Sequence, residues 1–593
     1  MDTHCQGLAN MPISTSTSWP LAFLVSLCFV GLAQAQNYER YQPLAISPRP
    51  LPTDAVQSEP LQPVEGSDKV LVDSLNGIIF LDGNDKLEPE DAHAGQLGIQ
   101  FRFDDPTSLV HGNAVQSIVN RYLGGPVTLR NLNQLSRDII LHYRRCGQPV
   151  VDVAIPEQKI TAGVVQIVVI EPRIGKVTVE DGCYFEAEDL CQWVNCTRRG
   201  DKIYEHKLNN DLFWLNQNPF YRVSVDMEPG KTEETTDVIF RVDDVLPIRA
   251  YLGYEDTGVR SLGLERLYAG FIYGNAFGRG GILSYQYTAD SDFNRLHAHS
   301  VSYSEAINRC YSWNTYGSWA GVEPSIAPFN QDGESWQLGL GLTRHLVRNA
   351  RQDTSLTLGA DFKQTNNNLE FGGQQVQDSG ADLLELRGTF RHFWRGCCEQ
   401  YGLIVSDTFV GPGGGFTSDN NQAAFNSIRA GTSPDYIYTR LRAERYDNVG
   451  KKWALLSRFT GQLTSERLLF SETLGYGGFD SIRGYDMRTF NADSGWFTNF
   501  EFGPRTHHWG CKQSPNRIRM FGFCDIGEGF TRNAVAGEVS DQFLASVGLG
   551  TRVSLGYDTS LRFSYGHGLE KVPGAATRDR LHIGFVQQFG PRP

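Results

Sequence analysis

Arg483 has the clearest setting for chemistry in this chain. It stands in Leu474–Asp486, LGYGGFDSIRGYD, after Gly475, Gly477 and Gly478 and before Gly484-Tyr485. Glycines take up positive φ and let the backbone come close to other groups. A lone arginine on such a loop suits the delivery of a planar, two-pronged donor to a carboxylate. A candidate acceptor lies downstream in Phe523-Cys524-Asp525-Ile526-Gly527. In the alternating segment Arg517–Gly527, Asp525 shares a face with Phe523, Arg519 and Arg517, and Ile518, Met520 and Ile526 share the other. If the apolar face meets lipid, Asp525 faces inward, and a pair with Arg483 would pin the loop. On the residues alone, two unrelated surface charges fit equally well, because exposed ion pairs are common and weak.

Other chemistries find no setting. The chain has no GxSxG, HExxH or Walker A motif. His507-His508 and Cys511 are close in sequence but lack metal-ligand spacing. Of eleven cysteines, Cys5 and Cys28 fall in the N-terminal segment discussed below, leaving an odd set. Cys183, Cys191 and Cys196 cluster, and Cys397 and Cys398 are adjacent, which fits a disulfide with one thiol left over. The expectation is a protein that is not an enzyme, with no cofactor and no metal. A net charge of -13 speaks against nucleic acid as a partner.

The elements that would position Arg483 and Asp525 follow from texture. Leu21–Leu32 is a short apolar core and Ala33-Gln34-Ala35 a small-x-small cleavage site, so residues 1–35 read as an export signal, although Met1–Pro20 carries no Lys or Arg. Residues 36–67 hold Pro43, Pro48, Pro50, Pro52, Pro60 and Pro63 and read as an extended, solvated linker. Residues 68–173 and 174–246 then repeat one order, β-α-α-β-β. In the first, Val70–Phe80 is a strand, 81–110 an inserted acidic loop and Val115–Leu123 a short helix. Thr128 caps a second helix with Leu132, Leu135, Ile139 and Tyr143 inside and Gly147 at its end, and Val150–Ile155 and Val164–Ile170 are strands. In the second, the strands are Lys176–Val179, Val223–Met227 and Asp237–Val242, and the helices Phe185–Val194 and Leu208–Asn216.

From residue 247 to 593 helical periodicity gives way to period two. Trp453, Leu455, Phe459 and Leu463 alternate with Arg458, Thr460 and Gln462, and Leu561, Phe563 and Tyr565 with Arg562 and Ser564. Such segments are about 10 residues long and roughly sixteen in number, the length and even count of a membrane barrel. Tyr436, Tyr438 and Tyr446 fall near segment ends, where interface aromatics would sit. No stretch after residue 36 approaches the ~20 apolar residues of a membrane helix. A soluble β-sandwich or propeller competes, but a closed barrel removes the exposed edges so many strands would create.

These residues resemble the TpsB transporters of two-partner secretion, the haemolysin secretion/activation (ShlB/FhaC/HecB) family of the outer-membrane insertase and translocase superfamily. The resemblance covers most of residues 68–589. Ile155–Val177 and Leu215–Gly230 are similar to the family's two POTRA domains, Asp292–Ser304 to an early barrel hairpin, Ile482-Arg483-Gly484-Tyr485 to its (V/I)RGY loop tip, and Phe523–Gly527, carrying Phe523, Asp525 and Gly527, to its F-x-D-x-G strand. It implies two tandem POTRA domains in the periplasm, followed by a sixteen-stranded antiparallel transmembrane barrel with loop 470–490 folded inward and held by Arg483 on Asp525. It also implies an unfolded TpsA-type exoprotein as substrate, outer-membrane lipid around the barrel, and the barrel-assembly machinery as a partner during biogenesis. Substrate would add as a strand beside Val150–Ile155 or Val223–Met227, at Val150, Asp152, Val223 and Val225. No nucleotide would be needed, with folding outside the cell as a driving force. A BamA-like assembly insertase, a passive porin or a surface adhesin are the alternatives. Three departures stand out. The prolines of 36–67 argue against an N-terminal helix plugging the pore, Glu171-Pro172-Arg173 replaces a glycine turn, and Phe589 is followed by Gly590-Pro591-Arg592-Pro593 rather than ending the chain.

Overall fold

A computed structural model of the chain describes residues 41–45, 61, 63–92, 95–323, 333–365, 380–397, 399–511, 514–572, 575 and 577–592. The proposed export signal and much of the linker lie outside the described residues, as does Cys398.

The first module contains β1 (Val70–Val72), β2 (Gly77–Leu81), β3 (Gly98–Arg102), α1 (Asn113–Asn120), β4 (Val127–Thr128), α2 (Leu129–Arg145), β5 (Asp152–Ala154) and β6 (Val164–Ile170). Thr128 caps α2 through its hydroxyl, which accepts the N–H of Asn131 at 3.1 Å. Leu132, Leu135, Ile139 and Tyr143 are the helix's buried face, and Gly147 follows it at φ 78. The strand expected over Val70–Phe80 is broken in two, and β1 pairs with β4 instead of joining the main sheet. The expected loop 81–110 contains a further strand. β3 lies parallel to β2, with Phe101 stacked on Phe80 at 5.7 Å, and the sheet runs β3-β2-β6-β5. The alternation Ile99, Phe101, Phe103 carried that signal, beneath an acidic composition. The insert also touches the middle strand, where the Gln166 amide accepts the Glu88 N–H at 3.0 Å and donates to its carbonyl at 2.7 Å.

The second module has β7 (Arg173–Val179), α3 (Ala187–Cys191), α4 (Glu205–Leu215), β8 (Tyr221–Pro229) and β9 (Thr235–Asp244), ordered β7-β9-β8. At the joint between modules, the Lys202 ammonium donates to Glu171 at 2.6 Å and to Asp105 of the insert at 3.0 Å. Burial pulls the Lys202 pKa down, but the two carboxylates reverse this and hold it above the usual lysine value.

The barrel is closed and antiparallel. Its strands are β10 (Ile248–Glu255), β11 (Arg266–Ala276), β12 (Gly281–Ala289), β13 (Leu296–Ala306), β14 (Tyr311–Val322), β15 (Gly333–Arg348), β16 (Gln352–Thr365), β17 (Ala381–Arg395), β18 (Tyr401–Pro412), β19 (Asp435–Val449) and β20 (Trp453–Thr464). After a long loop come β23 (Ser494–Pro504), β24 (His507–Cys511), β25 (Ser514–Phe530), β26 (Asp541–Leu555), β27 (Thr559–Gly568) and β28 (Asp579–Phe589). β23 and β24 are one strand interrupted at Arg505-Thr506, both pairing with β25, so the barrel has sixteen strands. β28 closes on β10, with Phe589 opposite Ala250, so the last aromatic is the last paired residue despite the Gly-Pro-Arg-Pro tail. Leu338, Leu340 and Leu342 are each at least half exposed on the outer face, and Gln462 and Ser564 are buried inside. Tyr436, Tyr438 and Tyr446 are corrected by the structure. They share the inward face with Arg440, Arg442 and Glu444 and are buried, so they are lumenal side chains and not interface anchors.

Two further contacts fix the architecture. Tyr41–Ala45 lie inside the barrel rather than in solvent. The Tyr41 carbonyl accepts from Gln286 at 3.2 Å and from the Ser300 hydroxyl, and the Leu44 N–H donates to the Tyr251 hydroxyl at 3.0 Å. Polar side chains of the lumen satisfy this backbone as water would. So the solvated linker expected over 36–67 does not hold for these five residues, which lie in the lumen. The second module is docked on the barrel through one continuous apolar cluster that runs from Phe240 and Phe220 to Tyr251 and Ile272. Phe220 presses on Gly274, where a Cβ would stand 1.9 Å from the ring. Arg309, in the turn after β13, donates to Asp211 at 2.5 Å, to Asn210 at 2.8 Å and to the Trp193 carbonyl. Asp211 is fully buried and also accepts backbone N–H groups of Asn195, Cys196 and Thr197.

Arg309→Ala strips the cation from that buried carboxylate. Charge-assisted hydrogen bonds of this kind contribute about 1.5–3 kcal/mol each. The expected result is roughly tenfold faster protease cleavage near Val245–Ile248, with a barrel that stays heat-modifiable; unchanged cleavage would show that the apolar cluster alone holds the dock.

Candidate functional site: the inward loop and its anchors

Between β20 and β23 the chain turns into the lumen. Two short strands, β21 (Leu474–Tyr476) and β22 (Phe490–Ala492), pair antiparallel and form its stem. Gly477 and Gly478 both sit at φ 101, which L side chains rarely adopt. Gly484, at φ 96, meets the wall directly: a Cβ there would stand 2.8 Å from the Gly568 nitrogen, and one on Gly566 would stand 2.6 Å from the Gly484 nitrogen. Glycine on both sides lets the loop tip touch the backbone of β27.

The structure brings the two sequence motifs together. Arg483 is buried, and Asp525 fully so. The Arg483 side chain donates to the Asp525 carboxylate from Nε at 2.8 Å and from Nη2 at 2.7 Å, and its own backbone N–H adds a third bond at 3.0 Å. The guanidinium lies over the Phe523 ring, 3.6 Å from its centroid. Ile482 is buried against Gly527, where a Cβ would stand 3.0 Å from the isoleucine methyl and 2.6 Å from Phe497 Cβ. The Tyr485 hydroxyl donates to the Ala545 carbonyl at 3.1 Å and accepts the Glu570 N–H at 3.0 Å.

Sequence reasoning missed a second carboxylate for the same arginine. Glu501 of β23 is fully buried, accepts from Arg483 at 3.0 Å, Arg552 at 2.6 Å and Arg458 at 3.4 Å, and forms an ion pair with Arg519 at 3.4 Å. Its signal was available: Phe497, Asn499 and Glu501 share the inward face of β23. A further anchor holds the loop's root. The Lys363 ammonium of β16 bonds Glu472 of the loop at 3.0 Å and also Glu385 of β17. Tyr438 donates to Glu472 at 2.7 Å, and Tyr436 to Glu385 at 2.8 Å.

The four residues named for substrate docking lie apart from this site. Val150 packs against the second module's core. Asp152 is exposed at the start of β5. Val223 already has its edge groups filled, because Asn216 accepts its N–H at 2.9 Å and donates to its carbonyl at 3.0 Å. Val225 is the next position along that edge, half-buried. Eight described cysteines are free thiols, so the disulfide suggested by the sequence does not form among them; Cys196 is turned toward Asn210 and Arg309. Among the described residues no group of three or more His, Cys, Asp and Glu side chains could hold a metal ion.

Comparison with known proteins places this geometry. The family described as haemolysin secretion/activation protein ShlB/FhaC/HecB matches residues 234–553, more than half of the chain. The chain belongs to this family. A POTRA domain of the ShlB type matches residues 98–172. Among curated relatives, the haem/hemopexin transporter protein HuxB of Haemophilus influenzae is 21% identical over 80% of this chain and 83% of its own length. The outer membrane transporter CdiB of Dickeya dadantii is 23% identical over 65% of this chain and 68% of its own length. The solved structure of CdiB from Escherichia coli superposes with a TM-score of 0.57 at 17% identity, covering 93% of this chain and 94% of that one. BamA from Haemophilus ducreyi lacking POTRA domains 1-3 gives 0.54 at 14% identity over 82% and 98%. This ShlB-family chain is thus an outer-membrane barrel with periplasmic POTRA modules.

Two expectations follow from the anchors. Breaking a buried ion pair by truncating one partner costs about 3–5 kcal/mol. Arg483→Ala and Asp525→Ala should each expose the loop to protease, and the double variant should be no worse than either alone; additive effects would mean that the two do not act as a pair. Lys363→Met leaves Glu385 and Glu472 facing each other unpaired, and should loosen cleavage at residues 465–473 without releasing the tip.

Proposed function

We propose that this protein is the outer-membrane translocase of a two-partner secretion pair, carrying an unfolded TpsA-type exoprotein from the periplasm to the cell surface. The observation that carries the reading is the buried Arg483 clamped by Asp525 and Glu501 inside a closed barrel with two docked POTRA modules. The exoprotein first meets the modules, where β8 offers its edge beyond Asn216, from Val225 onward, for strand addition. It then passes along the lumen, and folding outside draws it forward. No step calls for catalysis or a nucleotide. A passive porin fits less well, because Tyr41–Ala45 and the inward loop both occupy the lumen. An assembly insertase shares the barrel fold, but the family match is to secretion proteins.

The test is secretion of a co-expressed candidate exoprotein with and without this chain. Arg483→Ala should cut the secreted amount by more than about tenfold, the scale of losing a buried charge pair, with the barrel still reaching the membrane. Deleting residues 68–246 should stop export and leave a heat-modifiable barrel. Export that persists in that deletion would remove the docking role of the modules.

A further inference from the structure

One row of the barrel wall carries like charges side by side. Arg519 of β25 stands directly opposite Arg552 of β26, and Arg552 directly opposite Arg562 of β27. The row continues across β28 at Gly584 to Glu255 of β10 and Arg266 of β11. Like charges directly opposite on neighbouring strands destabilise a sheet, so three arginines in succession work against the fold unless something else uses them. Loop anchoring uses only part of the row. Glu501 meets Arg519 and Arg552, and Glu255 meets Arg562 at 2.7 Å.

From Arg552 to Arg266 the row borders a lumenal cavity of about 470 Å³, beside Tyr41–Ala45 and the loop tip. Seven arginines line this space against three carboxylates, Glu255, Asp480 and Asp558, and Glu501 and Asp525, buried on the same inward face, hold three of the seven, so that seven arginines face five carboxylates. Arg517, on the same inward face as Arg519 and Asp525 but nearer the periplasmic end of β25, has no ion pair among the described residues. This positive surplus sits in a chain whose net charge is -13. A cleft lined by one sign of charge, with low-dielectric walls, focuses its field and concentrates the opposite sign.

We infer that the lumen is an anion-attracting path, and that the polypeptide it fits threads through as an extended segment rich in Asp and Glu. The arginine row offers successive planar donors to carboxylates spaced along a strand-like chain, and Arg517 beside it has no ion pair among the described residues to give up. The identity of what passes rests on the translocase reading; the charge of the path does not.

The purified full chain in planar bilayers tests this under a KCl gradient. Chloride should permeate about threefold or more better than potassium, as expected for a positively focused lumen. Arg517→Glu should lower that ratio at least about twofold, and Arg519→Gln serves as a second variant should the first not assemble. An oligoglutamate peptide added on the periplasmic side should interrupt the current, and an oligolysine peptide of equal length should not. Cation preference, equal block by both peptides, or no current from the intact chain would each overturn the inference. Secretion measured separately keeps the two readings apart. Lost secretion with an anion-selective pore sinks the translocase, and intact secretion through a cation-selective pore sinks only the arginine path.

Discussion

The structure depends on a guanidinium held away from water. Arg483 gives up its hydration and regains it as three bonds to Asp525, one to Glu501 and the face of Phe523. Such a charge is tolerable only where its partners are already in place. That condition reaches outward. Asp525 and Glu501 face inward because β25 and β23 alternate with a lipid-facing side, and they are buried because the barrel closes at β10 and β28. Gly484, Gly566 and Gly527 are then required, since the arginine reaches its place only if the loop backbone lies against the wall. A Cβ at any of these three positions would stand 2.6–2.8 Å from its nearest neighbour, closer than side-chain carbons approach, so the loop or the wall would have to shift.

How much of this was legible in the sequence depended on the range of the interaction. Period-two alternation is local, so the inward face of Arg517–Gly527 could be read, and Asp525 with it. The α2 cap at Thr128 and its closing glycine were legible for the same reason. Glu501 lay on an equally readable face, but nothing local distinguishes a hub for four arginines from any other lumenal glutamate. Lys363, Glu385 and Glu472 come from three distant segments and meet only once the barrel has closed. Tyr436 and Tyr438 misled because an aromatic near a strand end suits an interface girdle as well as a lumenal hydrogen bond. β3 was hidden by the acidic residues around it, and Tyr41–Ala45 by the prolines, whose extended backbone fits a polar lumen as well as water.

The anchors also say what must move. The loop is tied at its root to Lys363 on β16 and at its tip to Asp525 on β25, and Asp486 reaches Arg580 of β28 and Arg260 of the first loop at 3.0 and 2.6 Å. These ties lie on three separate stretches of wall, so the loop crosses the lumen instead of hugging one side. A polypeptide cannot pass with all of them closed. The tip is the least exchangeable tie, with all three nitrogens of a buried guanidinium bonded to two buried carboxylates. Asp486 shares its charge between two arginines, one of them more than half exposed. Release should therefore begin at Asp486 and leave Arg483 and the buried Lys363–Glu472 root as the fixed ties, because a half-exposed ion pair exchanges with water at little cost and a buried one does not.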